Sequence, residues 1–173
     1  MVNEFEYDFP DVIAVKDREV CDKVRKKSKD DICKHPNKNF RISIVRTKDE
    51  LMFDYAIDLV NEIRLAHQEK RELVLILPAK ISIYAADMIN FMNLPCHHLQ
   101  IFNMDEYADQ DGKSAPDTWK HSFVKMIRDS FINRIDEELR PPEKNLHFIS
   151  SDNVNDYDEM IEDRGGVDVC YGQ

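Results

Sequence analysis

A chain of 173 residues that is 42% apolar and 34% charged has material for one well-packed core but not for a second large domain. Its formal net charge of −10 argues against the basic face that a nucleic-acid backbone requires, and no run of about 18 apolar residues offers a membrane span. The N-terminus opens without a basic region followed by an apolar stretch, and Cys21, Cys33, Cys96 and Cys170 form no Cys-x-x-Cys pair; reduced thiols in the cytoplasm are therefore expected, with no export signal.

Residues 1–39 read as an extension. Within it, 17–34 carries Val20, Cys21, Val24 and Ile32 among many charged side chains, the pattern of a weakly amphipathic helix that could lie on a partner subunit, in solvent or in a disordered arm. Apolar segments at 41–45, 73–77, 99–104, 146–149 and 167–171 read as strands, and several are apolar at consecutive positions, as expected when both faces of a parallel sheet are covered. Helical patterns alternate with them. Thr47-Lys-Asp-Glu50 is a capping box, after which Met52, Tyr55, Ala56, Leu59, Val60 and Ile63 fall on one face. Ile81, Tyr84, Ala85, Met88 and Met92 repeat that spacing until Asn93-Leu-Pro95 ends it. Trp119, Phe123, Met126, Ile127, Phe131, Ile135 and Leu139 predict one long third helix closed by Pro141-Pro142. Tyr157, Met160 and Ile161 predict a fourth, ended by Gly165-Gly166. The alternation implies an α/β domain over 40–173, a three-layer, doubly wound, mostly parallel sheet with helices on both faces, Rossmann-like in plan.

The segment 98–107 carries the chemistry. An apolar run of strand length delivers two adjacent carboxylates, Asp105 and Glu106, at its end, where an open parallel sheet binds its ligands. The pair reads either as an acid/base centre or as a cap on the next turn. Cys96-His97-His98 brings metal-ligand types together, but no further Cys or His follows at ligand spacing, so no metal is expected. From residue 101 onward 17 acidic side chains face 8 basic ones, and any phosphate would need backbone N–H groups and a few cations of its own.

Phe102-Asn103-Met104-Asp105-Glu106-Tyr107 resembles the signature hexapeptide of the glucosamine-6-phosphate deaminase/isomerase family. Phe40-Arg-Ile-Ser-Ile-Val, Leu73-Val-Leu-Ile-Leu-Pro78, Asp117-Thr-Trp-Lys-His-Ser-Phe123, Asn145-Leu-His-Phe148 and the segment 157–172 continue the similarity in order and approximate spacing. The resemblance implies an enzyme that converts glucosamine 6-phosphate to fructose 6-phosphate and ammonia without a cofactor, by carboxylate-mediated proton transfer from C2 to C1. It implies a small-molecule sugar phosphate as partner and a homo-oligomeric assembly. Asp105 matches the family's base. Glu106 shares the catalytic centre or binds neighbouring backbone, and Asn103 and Tyr107 line the substrate.

Two departures bear on this reading. The family's phosphate loop is rich in glycine, whereas Pro78 is followed here by Ala79-Lys80-Ile81-Ser82; Lys80 and Ser82 either assist a phosphate at the helix N-terminus or serve as a surface lysine and a helix cap. The family's ring-opening His follows a Gly-rich stretch beyond the strand equivalent to 167–171, and the sequence stops at Tyr171-Gly172-Gln173, so the domain is expected to be incomplete and inactive alone. Two alternatives stand beside the enzyme: a non-catalytic sugar-phosphate sensor, and a 6-phosphogluconolactonase-like hydrolase, which would carry Arg where this chain has Tyr107.

Overall fold

Leu73-Val-Leu-Ile-Leu77 and Leu99-Gln-Ile-Phe-Asn103 form the centre of a parallel sheet in the computed structural model, which describes residues 17–172. Strand β1 (Leu73–Leu77) pairs with β2 (Leu99–Asn103), Leu73 opposite Leu99 and Leu77 opposite Asn103. Short strands flank them: β3 (Leu146–His147) lies beside β2 and β4 (Val169–Cys170) beside β1, all parallel, in the order β3-β2-β1-β4. Asp168 fixes β4 in register, its carboxylate accepting from Val74 N–H at 2.8 Å while its own N–H donates to Val74 O.

Alternation along the central strands divides the core between two faces. Leu73, Leu75, Leu77, Leu99 and Ile101 join the larger cluster, covered by α3 (Lys48–Glu69), α4 (Ile83–Met92) and α5 (Phe123–Ser130). Val74 and Phe102 join the smaller one with Tyr157 of α6 (Tyr157–Glu162). Both faces being occupied explains why the strands are apolar throughout. Thr47 caps α3, its hydroxyl accepting from Glu50 N–H at 3.1 Å, and α4 ends at Asn93, whose φ of 50° gives a left-handed cap. Gly166, at φ 95°, closes α6 by donating to Ile161 O.

The chain divides into two compact units, Met1–Arg46 and Thr47–Gln173. In the first, the single helix expected over 17–34 is two short ones, α1 (Arg18–Arg25) and α2 (Lys29–Ile32), because Ser28 turns the chain and caps the second by accepting from Asp31 N–H. Residues 1–16 and Gln173 lie outside the described residues.

Two other expectations are corrected. Residues 41–45 are not a strand of the sheet, and Ile44 is 49% exposed; branched side chains favour a pleated surface only where a neighbour supplies the hydrogen-bond ladder. The long third helix stops at Ser130. Phe131 takes φ −130°, ψ −68°, and single 3-10 turns follow at Ile132–Arg134 and Glu137–Leu139, so Trp119 and His121 stand in the turn before α5 and not on a helix. Side chains supply what the helix would have supplied, the distant Asn90 through Nδ2 to Arg134 O and through Oδ1 from Asp136 N–H, and the nearby Arg140 through Nε to Ile135 O. Of the apolar residues of the expected helix, Ile127, Phe131, Ile135 and Leu139 are buried, while Trp119 is exposed. No helix among the described residues is long and apolar enough to cross a membrane.

Candidate functional site

Because β1, β2 and β4 run parallel, the chain leaves all three at one edge, after Leu77, Asn103 and Cys170. From β1 the strand order runs outward to β2 on one side and to β4 on the other, the arrangement that opens a crevice at the carboxyl ends.

Asn103 ends β2 and is almost fully buried. Its Oδ1 accepts from Ile149 N–H at 2.8 Å, and its Nδ2 donates to Asp105 O at 2.7 Å. Tyr157 closes the arrangement: its hydroxyl accepts from Asn103 N–H at 3.0 Å and directs its one proton among Asn103 O, Asn103 Oδ1 and His147 O. Asn103 is thus a positioning residue that sets the backbone of Asp105. Burial pushes the Tyr157 phenol up, so it stays a neutral donor.

The two adjacent carboxylates have different fates. Glu106 turns to the N-terminus of α5, where Oε1 accepts from Phe123 N–H at 3.0 Å and from Tyr107 N–H at 2.8 Å. Oε2 accepts from Ser122 Oγ at 2.7 Å and from Val124 N–H at 2.9 Å. Burial raises its pKa, but the donors at Val124, Ser122, Phe123 and Tyr107 together hold it below the ordinary glutamate range. Asp105 is exposed, and no side-chain hydrogen bond engages its carboxylate among the described residues. One carboxylate is committed to structure while the other is open to a ligand.

Past Asp105 the chain makes an excursion and returns. Ala108 and Ser114 form an antiparallel bridge, Ala115 N–H donates to Tyr107 O at 2.7 Å, and Asp109 Oδ1 accepts from Asp111 and Lys113 N–H across the tip. The return brings Trp119 edge-on to Tyr107 at 5.4 Å, with His121 at 5.0 Å from Trp119 and Phe123 at 4.6 Å from Tyr107.

After β1, Lys80 is exposed and Ser82 is the N-cap of α4. The Ser82 hydroxyl is buried and makes no hydrogen bond among the described residues, leaving the first turn of α4 without a side-chain cap. After β4, Tyr171 donates to Asp58 Oδ2 of α3 at 2.8 Å and packs 4.8 Å from Tyr55, whose buried hydroxyl also lacks a partner among the described residues. Burial raises both phenols, and Asp58 raises Tyr171 further. Sequence reasoning missed the roles of Tyr55 and Asp58: Tyr55 was read only as a helix-face position, and Asp58 was not singled out. Ser122, expected inside a helix beginning at Trp119, is instead the N-cap of α5.

A second polar cluster lies on the α6 face. Gln100, 2% exposed, donates through Nε2 to Glu72 Oε1 at 2.9 Å and meets His147 Nε2 through Oε1 at 2.8 Å. A carboxylate can only accept, so the amide nitrogen must face Glu72 and His147 must donate from Nε2. Burial, then the Arg164 guanidinium, holds the His147 ring below its ordinary range against the pull of Glu72. A cleft of about 350 Å³ beside it is lined by His147, Met160, Asp163 and Arg164. At the opposite edge of the sheet from Asp105, Cys96 is buried with its thiol pushed up to about 12, and no group of three or more His, Cys, Asp or Glu is placed to hold a metal ion among the described residues.

Among solved structures, a monomeric glucosamine-6-phosphate deaminase, described as a missing link of the NagB superfamily, superposes with a TM-score of 0.58 at 18% sequence identity, over 72% of this chain and 51% of that one. The two share a fold. This chain spans about half the length of that deaminase. No family model and no curated protein sequence matches the chain.

Proposed function

We propose that the chain carries a glucosamine-6-phosphate deaminase/isomerase-type site in which Asp105 is the proton-transfer base. The observation that supports it best is the separation of the two carboxylates. Glu106 is spent on three donors at α5 and on Tyr107 N–H, while Asp105 stands at the carboxyl edge of the sheet with a fixed backbone and an open side chain. On the ring-opened sugar, Asp105 takes the proton from C2, and the electron pair forms a C1–C2 double bond as the C1 carbonyl π pair moves to its oxygen, which is protonated to an enol. The proton returns to C1, and water hydrolyses the resulting imine at C2 to the ketone of fructose 6-phosphate with release of ammonia. Glu106 acts as a positioning residue, Tyr107 borders the site, and Lys80 and Ser82 with the first turn of α4 hold the phosphate end.

Incubation with glucosamine 6-phosphate in deuterium oxide, followed by NMR of the C2 proton, tests this directly. Asp105→Asn should slow exchange by roughly 10²- to 10⁴-fold with an unchanged melting curve; exchange at the wild-type rate in that variant removes Asp105 from the mechanism. The absence of glycine between Pro78 and Ser82 favours a second reading, a sugar-phosphate binder that does not turn over. Saturable binding with no exchange in the unmodified chain would select it.

A further inference from the structure

We infer that α1 and the basic run behind it form a surface that rests on an anionic lipid membrane. Residues 23–29 carry Lys23, Arg25, Lys26, Lys27 and Lys29, five basic side chains in seven positions with no acidic one among them. In a chain of net charge −10 that run is the exception. Charge is felt over only about 8 Å at physiological ionic strength, so the local cluster decides the contact and the total does not. A leaflet rich in anionic headgroups supplies the opposite sign, and each Lys or Arg near it adds to the attraction.

The helix supplies the apolar half of the surface. With about 100° between successive residues, Val20, Cys21 and Val24 of α1 share one side, Lys23 and Arg25 border it, and Glu19 and Asp22 fall opposite. Val20 is 46% and Val24 53% exposed, and no residue of α1 is buried, so the apolar side is uncovered. Lys23 reaches Glu19 at 3.7 Å and Arg25 reaches Asp22 at 3.6 Å, exposed pairs too weak to withhold these cations from a charged surface. An apolar strip between long cationic side chains suits a helix lying in the headgroup layer, where the stems cover apolar surface and the charged heads stay in water. With eight residues, α1 lies on a bilayer and does not cross it. A protein groove asks for apolar anchors that continue to i+7, and α1 ends after Val20 and Val24. A nucleic-acid backbone asks for no apolar side at all.

Cosedimentation of the full chain with vesicles of phosphatidylcholine, alone or with about 30% phosphatidylserine, tests the inference. Partition onto the anionic vesicles should be about 10-fold stronger or more, and should fall toward the phosphatidylcholine level as salt is raised. The double variant Lys26→Glu, Lys27→Glu should remove most of that gain, and Val24→Asn, which leaves the charge alone, should weaken binding by about 3- to 10-fold. All three side chains are exposed, so the melting curve should not move. Equal partition onto the two kinds of vesicle overturns the inference, and so does anionic binding that survives the double variant. Should a short DNA duplex bind as tightly as the anionic vesicles while Val24→Asn leaves lipid binding untouched, the run is a general polyanion site and the membrane assignment falls.

Discussion

The loops that leave β1 and β2 exit the sheet side by side and are finished in opposite ways. After β2, the mouth of α5 is filled from within: Glu106 satisfies its backbone donors and the Ser122 hydroxyl at once. After β1, α4 opens on Ser82, whose hydroxyl is buried and bonded to nothing among the described residues. A helix that carries its own carboxylate at the N-terminus is closed to an external anion, whereas one that lacks it still offers its dipole and N–H groups. An anionic ligand at this edge therefore meets a competitor at α5 and a complement at α4.

The comparison breaks most visibly at Glu106. Glu106→Ala strands three backbone donors and a serine hydroxyl, and should destabilise the fold by about 2–3 kcal/mol in urea denaturation; a loss near zero would mean that water replaces the carboxylate without cost. The same anchor has a pH signature. Its folded pKa lies below the ordinary glutamate value of 4.5, so its contribution is complete above that value and drains away as the pH falls through the lower, folded one. Stability of the unmodified chain should accordingly fall more steeply below about pH 4.5 than that of Glu106→Gln, and parallel curves would show that the charge is not what is bound.

A smaller loss is expected at Tyr157→Phe, which keeps the ring against Phe102 but leaves Asn103 N–H without its acceptor: about 1–1.5 kcal/mol, with a drop in any Asp105-dependent exchange as the end of β2 loosens. Ser82→Ala should be the mildest, within about 0.5 kcal/mol of the unmodified chain, since no bond is lost. Were Ser82→Ala to weaken sugar-phosphate binding at unchanged stability, the contrast between the two helix mouths would become a functional one.

Local signals and distant ones were not equally legible in the sequence. β1 and β2 were readable because burial on both faces writes itself as an unbroken apolar run, and Thr47-Lys-Asp-Glu50 announced α3 because its partners are three residues apart. The break after α5 was not readable: the turns that follow it are held by Asn90, which binds Arg134 O and Asp136 N–H, and no local periodicity records a partner supplied by another element. Residues 41–45 misled in the reverse direction, having the composition of a strand without pairing as one. At the site, the hexapeptide named Asp105 and Glu106 together, but the 16 to 18 residues between Glu106 and its donors hid which of the two was free. Ser82 was read as either a phosphate ligand or a cap, and only the structure reveals that it stands at the N-cap with the cap bond unmade.

The chain of contacts from Glu72 through Gln100 to His147 has one end that cannot be reversed. An amide can turn over and an imidazole can move its proton, so both are symmetric parts; the carboxylate is the single asymmetric one, and it sets the direction of every bond after it. Polarity imposed at the entrance to β1 is thereby read out two strands away, as a choice between the nitrogens of one ring. Exchanging Glu72 for glutamine would keep the shape of the row and erase its sense of direction, leaving the ring with two equivalent ways to carry its proton.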